Sequence, residues 1–308
     1  MSSFRPDTLT LRVPMLGELP AIMAFFGDLH EAHDAGASEA EISDCLTNPL
    51  FDPEDYVRIA LARDRIVGWI DIWDQNRAHE RLFLDCRAYP RDVTVYAALL
   101  DWAEERGEAI AVDDKTVLRA RAESDDDTLA AELERRGFRF IRHFLRMESE
   151  LGELPAEPEW PQGITVRTFQ LDDTRAVYDA DMEAFADHWD FVPVAFDEWS
   201  QLMLGSATFD PTLWFLAEDG DEIAGISLCL AERRPNTGHV GILGVRPQWR
   251  RRGLGRSLLL HSFRELRQRG REKVDLGVDA ENLTGAVRLY EEAGMHIARR
   301  TDAYEKKL

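Results

Sequence analysis

The chain has 308 residues, 44% hydrophobic and 31% charged, with a formal charge of −21. Such a composition fits a soluble globular protein, and the length suits two domains that each bury a core. The acidic excess argues against nucleic acid or an anionic membrane as a bulk partner and toward small-molecule chemistry. Cys45, Cys86 and Cys229 are far apart in sequence, so buried free thiols are expected and no metal site. The first residues lack the apolar core of a signal peptide, and no run approaches the roughly 18 apolar residues of a membrane span, so a cytoplasmic location is expected.

Taken in order, Leu9–Val13 alternates like a strand and Leu16–His30 carries helical spacing. A second helix is predicted from Ser38, a cap with Glu41 three residues on, to Leu46. Tyr56–Ala62, Ile66–Trp73 and Leu82–Ala88 read as strands. A helix over Val93–Arg106, a strand over Thr116–Ala122, a helix over Asp127–Arg136 and two strands within Phe138–Ser149 complete the first half.

The second half repeats this order. Ile164–Phe169 is a predicted strand, Asp172–Ala186 and Phe196–Leu204 are helices, and Leu213–Ala217, Ile223–Leu230 and Val240–Val245 are strands. Gly68 and Gly225, Pro90 and Pro247, and Gly137 and Gly294 are each 157 residues apart, which points to duplication. Gly107 and Gly270 are 163 apart, so the first copy lacks about six residues after its third strand. The domains expected are residues 1–150 and 164–308, joined by an extended, proline-rich linker over 151–163.

The residues missing from the first copy are the most informative in the second. Gly241–Arg256 reads as strand, loop and helix, with three arginines and two glycines at the turn. Residues 246–273 hold ten Lys or Arg against two Glu, a local charge of +8. Glycines at the start of a helix let backbone N–H groups and the helix dipole receive an anion, so a phosphate is expected there.

Arg250-x-x-Gly253-x-Gly255, after a strand ending Val-x-Pro, resembles the pyrophosphate loop of the GCN5-related N-acetyltransferases. Asn282-x-x-x-Ala286-x-x-x-Tyr290-x-x-x-Gly294-Met295 resembles that family's second signature. The resemblance implies two tandem domains of α/β (α+β) class, each a mixed, mostly antiparallel sheet flanked by helices. The first copy reads Tyr89-Pro90-Arg91-Asp92-Val93-Thr94 at the loop and Leu133 where the second has Tyr290. A pair with a degenerate first copy is similar to the mycothiol-synthase type within the family.

The resemblance implies acetyl-CoA as cosubstrate and acetyl transfer to a primary amine of a small molecule by direct attack. Leu243, Val245, Arg250, Arg251, Arg252, Gly253, Leu254, Gly255, Arg256 and Asn282 would then contact the cofactor. Tyr290 would protonate the departing thiolate, a role that a phenol of pKa near 10 can fill. His239 would act as base, with Glu232 as competitor. Asp187, His188 and Trp189, between the two helices that border the acceptor site in the family, would meet the amine. The alternative is a catalytically silent acyl-CoA-binding module.

Overall fold

In the computed structural model, residues 9–33, 37–47, 52–74, 77–112, 115–153, 155, 157–206, 208–234, 236–282 and 285–308 are described. Glu41, expected to complete a cap with Ser38, has its side chain outside them.

The strands are β1 (Leu9–Arg12), β2 (Val57–Ala62), β3 (Arg65–Asp74), β4 (Arg81–Ala88), β5 (Val117–Glu123), β6 (Arg139–Glu150), β7 (Ile164–Thr168), β8 (Trp214–Asp219), β9 (Glu222–Arg234), β10 (Thr237–Val245), β11 (Lys273–Asp279) and β12 (His296–Lys307). The helices are α1 (Leu19–His33), α2 (Glu39–Thr47), α3 (Pro53–Tyr56), α4 (Val93–Ile110), α5 (Asp127–Arg135), α6 (Thr174–Phe185), α7 (Phe196–Leu204), α8 (Leu254–Gln268) and α9 (Ala286–Glu292). Phe138–Ser149, expected as two strands, forms the single strand β6.

The chain folds as two compact units, one up to His143 together with Thr301–Leu308, the other Phe144–Arg300. These are not the contiguous stretches expected from the sequence, residues 1–150 and 164–308. Phe144–Glu150 of β6 pairs antiparallel with β11 in the second unit, and Thr301–Lys307 of β12 pairs antiparallel with β5 in the first. Leu145 and Met147 thereby enter the second unit's core, and Tyr304 enters the first's. An alternating pattern shows that a strand has a buried face, but it carries no information about which ladder completes it.

Both units use one pairing scheme. In the first, β1, β2, β3 and β4 are antiparallel neighbours, and β4 pairs parallel with β5. In the second, β7, β8, β9 and β10 are antiparallel neighbours, and β10 pairs parallel with β11. Adjacent residues of β8 go to opposite faces. Phe215 packs in the cluster that holds α8 and α9 residues, whereas Trp214 and Leu216 pack in the cluster that holds α6 and α7 residues. Helix α8 buries Leu254, Leu258, Phe263 and Leu266 at helical spacing, worth on the order of 8 kcal/mol of transfer free energy before chain entropy is counted.

Because β12 completes the first unit, cutting the chain after Arg300 removes the ladder partner of β5 and the buried Tyr304. The truncated protein is expected to lose on the order of 4 kcal/mol from the first unit. Urea denaturation followed by hydrogen exchange checks this, and protection should fall in β5 before it falls in β9.

Candidate active site

The parallel ladder between β10 and β11 runs from Thr237–Lys273 to His239–Asp275 and goes no further. Strand β10 continues to Val245, paired with β9 alone, so the two parallel strands part beyond His239. The β9 register slips between Val240 and Ile242, which makes Gly241 the extra residue of a bulge. After the slip, Leu243 and Val245 pack toward the α8 face, and Ile242 toward the α6 face. Helix α6 crosses close to the strand end: a Cβ on Gly244 would stand 2.9 Å from Ala184 Cβ and 3.1 Å from Phe185 Cε2.

The chain then turns through Pro247–Trp249. Trp249 is buried and donates its Nε1–H to Asp219 Oδ2 at 2.9 Å. Arg246 lies over the Trp249 ring at 5.1 Å and bonds Glu183 at 2.7 Å. Arg251 and Gly253 adopt left-handed backbone, φ 63 and 84, a conformation that costs glycine nothing. Helix α8 begins at Leu254 with no side chain capping it. Its first backbone bond runs from Ser257 N–H to Gly253 O at 3.1 Å, so the N–H groups of Leu254, Gly255 and Arg256 have no partner within the helix.

Gly255 sits where three elements meet. A Cβ there would lie 3.4 Å from Leu289 Cδ1 of α9 and 3.6 Å from Val245 Cγ2. The end of β10, the start of α8 and the helix that carries Tyr290 are therefore neighbours. Tyr290 is 8% exposed, and burial pushes its phenol up to about 12. Its hydroxyl has no hydrogen-bond partner among the described residues.

The arginines of the loop divide their work. Arg250 is engaged by Val245 O, Ala184 O and Asp187. Arg252 reaches Asp219 at 4.0 Å. Arg251 and Arg256 are exposed and meet no carboxylate among the described residues. Asp187, expected on the acceptor side, is thus the ion-pair partner of Arg250. His188 packs edge-on against Phe185 at 4.5 Å; burial lowers its pKa, while Asp187 and Asp279 raise it. Trp189 is 44% exposed.

His239 is buried beside Asp275, with Nδ1 2.6 Å from Asp275 Oδ1. Arg234 holds the other oxygen of the same carboxylate. His239 lies between Gly238 and Val240, which face Leu266 and the α8 cluster, so its own side chain is directed to the α6 face. Glu232 is exposed and paired with Arg271. Asn282 donates its backbone N–H to Asp279 O at 3.1 Å and is not the cap of α9, which is Gly285.

Three residues here were not singled out from sequence: Asp275, Arg234 and Asp181. A carboxylate inside the apolar run Val274-Asp275-Leu276 was the available signal for the first. Asp181 is 5% exposed on α6 and accepts from Trp199 Nε1 at 2.9 Å, and burial pushes it up to about 6.

The first unit closes the equivalent corner. Asp92 caps α4 by accepting from Thr94 N–H at 2.7 Å and Val95 N–H at 3.4 Å, so a carboxylate stands where the second unit leaves donors. Arg91 is drawn to Asp126 at 2.9 Å and Asp125 at 3.0 Å. Its parallel strands also part, with β4–β5 pairing ending at Leu84–Ala120.

Residues 174–295 match the model of the Acetyltransferase (GNAT) family. The mycothiol acetyltransferase of Streptomyces bingchenggensis is 36% identical over 164 residues, 51% of this chain and 52% of that protein; the chain spans about half the length of the curated relatives it matches. A crystal structure of a GCN5-related N-acetyltransferase from Sphaerobacter thermophilus is similar at 31% identity and a TM-score of 0.81, covering 98% of this chain and 96% of that one. A tandem GNAT protein from the clavulanic acid biosynthesis pathway shares the fold, with a TM-score of 0.74 at 16% identity over 97% and 98% of the two chains.

Asp181 sets a pH dependence. Its folded pKa of about 6 lies above the ordinary 3.8, so the fold favours the protonated form. The penalty for ionisation is absent below about pH 4, grows up to pH 6 and is complete above it. Asp181→Asn keeps an acceptor for Trp199 and is expected to stabilise the protein by on the order of 2 kcal/mol at pH 7.5 and by nothing near pH 3.5. Thermal melts at the two pH values measure the difference.

Proposed function

Because the chain belongs to the GCN5-related N-acetyltransferase (GNAT) family, we propose that its second unit moves an acetyl group from acetyl-CoA to a primary amine of a small molecule by direct attack. The observation that carries this reading is the uncapped start of α8, set beside the end of a strand that has parted from its parallel neighbour.

The residues present fit a diphosphate. The N–H groups of Leu254, Gly255 and Arg256 converge at the positive end of α8, and Arg251 and Arg256 add charge with no carboxylate competing for them among the described residues. A Cβ at Gly255 would already touch Val245 and Leu289, so a side chain larger than methyl would crowd the space beside the helix start. Past the bulge at Gly241, the backbone of Leu243 and Val245 offers donors for the pantetheine arm and for the carbonyl oxygen as negative charge grows on it. Bound acetyl-CoA supplies an acetyl group activated as a thioester.

The rest falls to side chains. With Nδ1–H given to Asp275, His239 keeps Nε2 as the basic nitrogen, turned to the α6 face from which an amine would approach. The amine nitrogen bonds to the acetyl carbon and loses its proton to His239 as the carbon–sulfur bond breaks. The sulfur takes its proton from Tyr290, whose phenol burial keeps protonated throughout the physiological range. No acyl-enzyme is required, and Cys229 lies fully buried with its thiol pushed up to about 11, unsuited to attack. The relatives' shared designation makes mycothiol chemistry the first acceptor class to assay. In the first unit, Asp92 supports loss of cofactor binding.

Purified protein with acetyl-CoA and a panel of amines is expected to release coenzyme A thiol above background with at least one amine; binding without release by any amine would leave only a cofactor-binding module. Tyr290→Phe should lower kcat about 100-fold and leave the coenzyme A dissociation constant nearly unchanged. Between pH 7 and 10 the wild-type rate should show no fall from ionisation of a phenol at about 12. Gly253→Asp, which places a carboxylate on left-handed backbone at the mouth of the anion site, should weaken coenzyme A binding at least about tenfold, as calorimetry would measure.

A further inference from the structure

One guanidinium ties the loop before α8 to the connection between α6 and α7. Arg250 Nε–H donates to Val245 O at 3.1 Å, and Nη2–H donates to Ala184 O at 2.9 Å. Nη1 and Nη2 together clasp Asp187, at 2.5 and 3.1 Å. Four of the five donors of the side chain are thereby committed, to the last residue of β10, the end of α6 and the start of the connection. Arg250 opens the motif that reads as a phosphate site, and Asp187 belongs to the stretch that reads as an acceptor site. The structure pairs the two.

The connection also reaches the opening between the parted strands. His188 packs against Phe185, which lies over Gly244 of β10. It also feels the charge of Asp279 at the end of β11. Asp187 itself is half exposed, with 52% of its side chain accessible, so by itself the solvent-screened pair contributes little to holding the connection. An anion bound at the start of α8 would fix residues 250–253 further, and with them the guanidinium. The same pair then becomes a preorganised clamp.

We propose that Arg250 is a positioning residue that transmits occupancy of the anion site to residues 186–190, so that the acceptor side is ordered by cofactor binding. The proposal rests on the acetyl-CoA reading of the site. Arg250 in this role is a brace, and the phosphates are left to the backbone N–H groups, Arg251 and Arg256.

The test uses the full chain, coenzyme A as the probe, calorimetry for affinity and hydrogen exchange for the connection. In the wild type, saturating coenzyme A should slow exchange across residues 186–194 by about tenfold or more. Asp187→Asn and Arg250→Lys should each keep the dissociation constant within about fivefold and lose that protection, whereas Asp187→Glu should retain it. Protection that survives in both variants would overturn the proposal, as would unchanged exchange in a wild type that binds coenzyme A. Loss of affinity in Arg250→Lys beyond about 100-fold, with Asp187→Asn unaffected, would make Arg250 a phosphate ligand and overturn it as well. A wild type that fails to bind coenzyme A would remove the acetyl-CoA reading and this proposal together.

Discussion

The second unit turns on an unsatisfied helix terminus. Among the described residues, three backbone N–H groups at the start of α8 have neither a capping side chain nor an earlier carbonyl, and their dipoles add to the field of Arg251 and Arg256. Everything nearby keeps that terminus open. Gly253 takes a backbone conformation that a side chain would resist, Gly255 leaves room between Val245 and Leu289, and Trp249 pins the preceding turn to Asp219. The bulge at Gly241 and the early end of the β10–β11 ladder then bring the strand's own backbone beside the same corner.

Buried polar groups fix the other half of the geometry. Asp275 is fully buried and is shared by His239 and Arg234. A lone carboxylate at that depth would cost several kcal/mol, and two hydrogen-bonded partners, one cationic, offset the cost. The arrangement also commits one imidazole nitrogen, so the ring cannot turn without breaking a buried bond. Asp181 is the contrasting case. Its partner is the neutral Trp199 indole, so the carboxyl group is left poorly compensated and its pKa rises.

Much of the architecture was legible in the sequence because it is periodic and local. The repeat at a fixed offset and the order of strands and helices follow from alternation, helical spacing and three glycine or proline anchors, and the mixed sheet follows from the resemblance to the acetyltransferase family. What the sequence did not carry is pairing at a distance. Nothing in Phe144–Glu150 or Thr301–Lys307 says which sheet edge each completes, and the compact units accordingly differ from contiguous halves. The same limit applies to Arg250 and Asp187, assigned from sequence to different ligands and joined in the structure although 63 positions apart in sequence. Asp275 illustrates a signal present but unread, since a charge in an apolar strand demands a partner even when the partner cannot be named.

The two units can be compared as one fold under two demands. In the first, Asp92 satisfies two of the helix's leading donors, a substitution that typically contributes about 1 kcal/mol of stability. In the second, the same position in the fold is a glycine in left-handed backbone, with no side-chain cap among the described residues. A chain selected only for stability would cap both helices, because a cap is easily acquired and harms nothing in the core. An open terminus that persists beside a capped twin, in a chain whose net charge is −21 and where exposed Arg251 and Arg256 find no carboxylate among the described residues, is therefore a deficit that an anionic ligand would make good on binding.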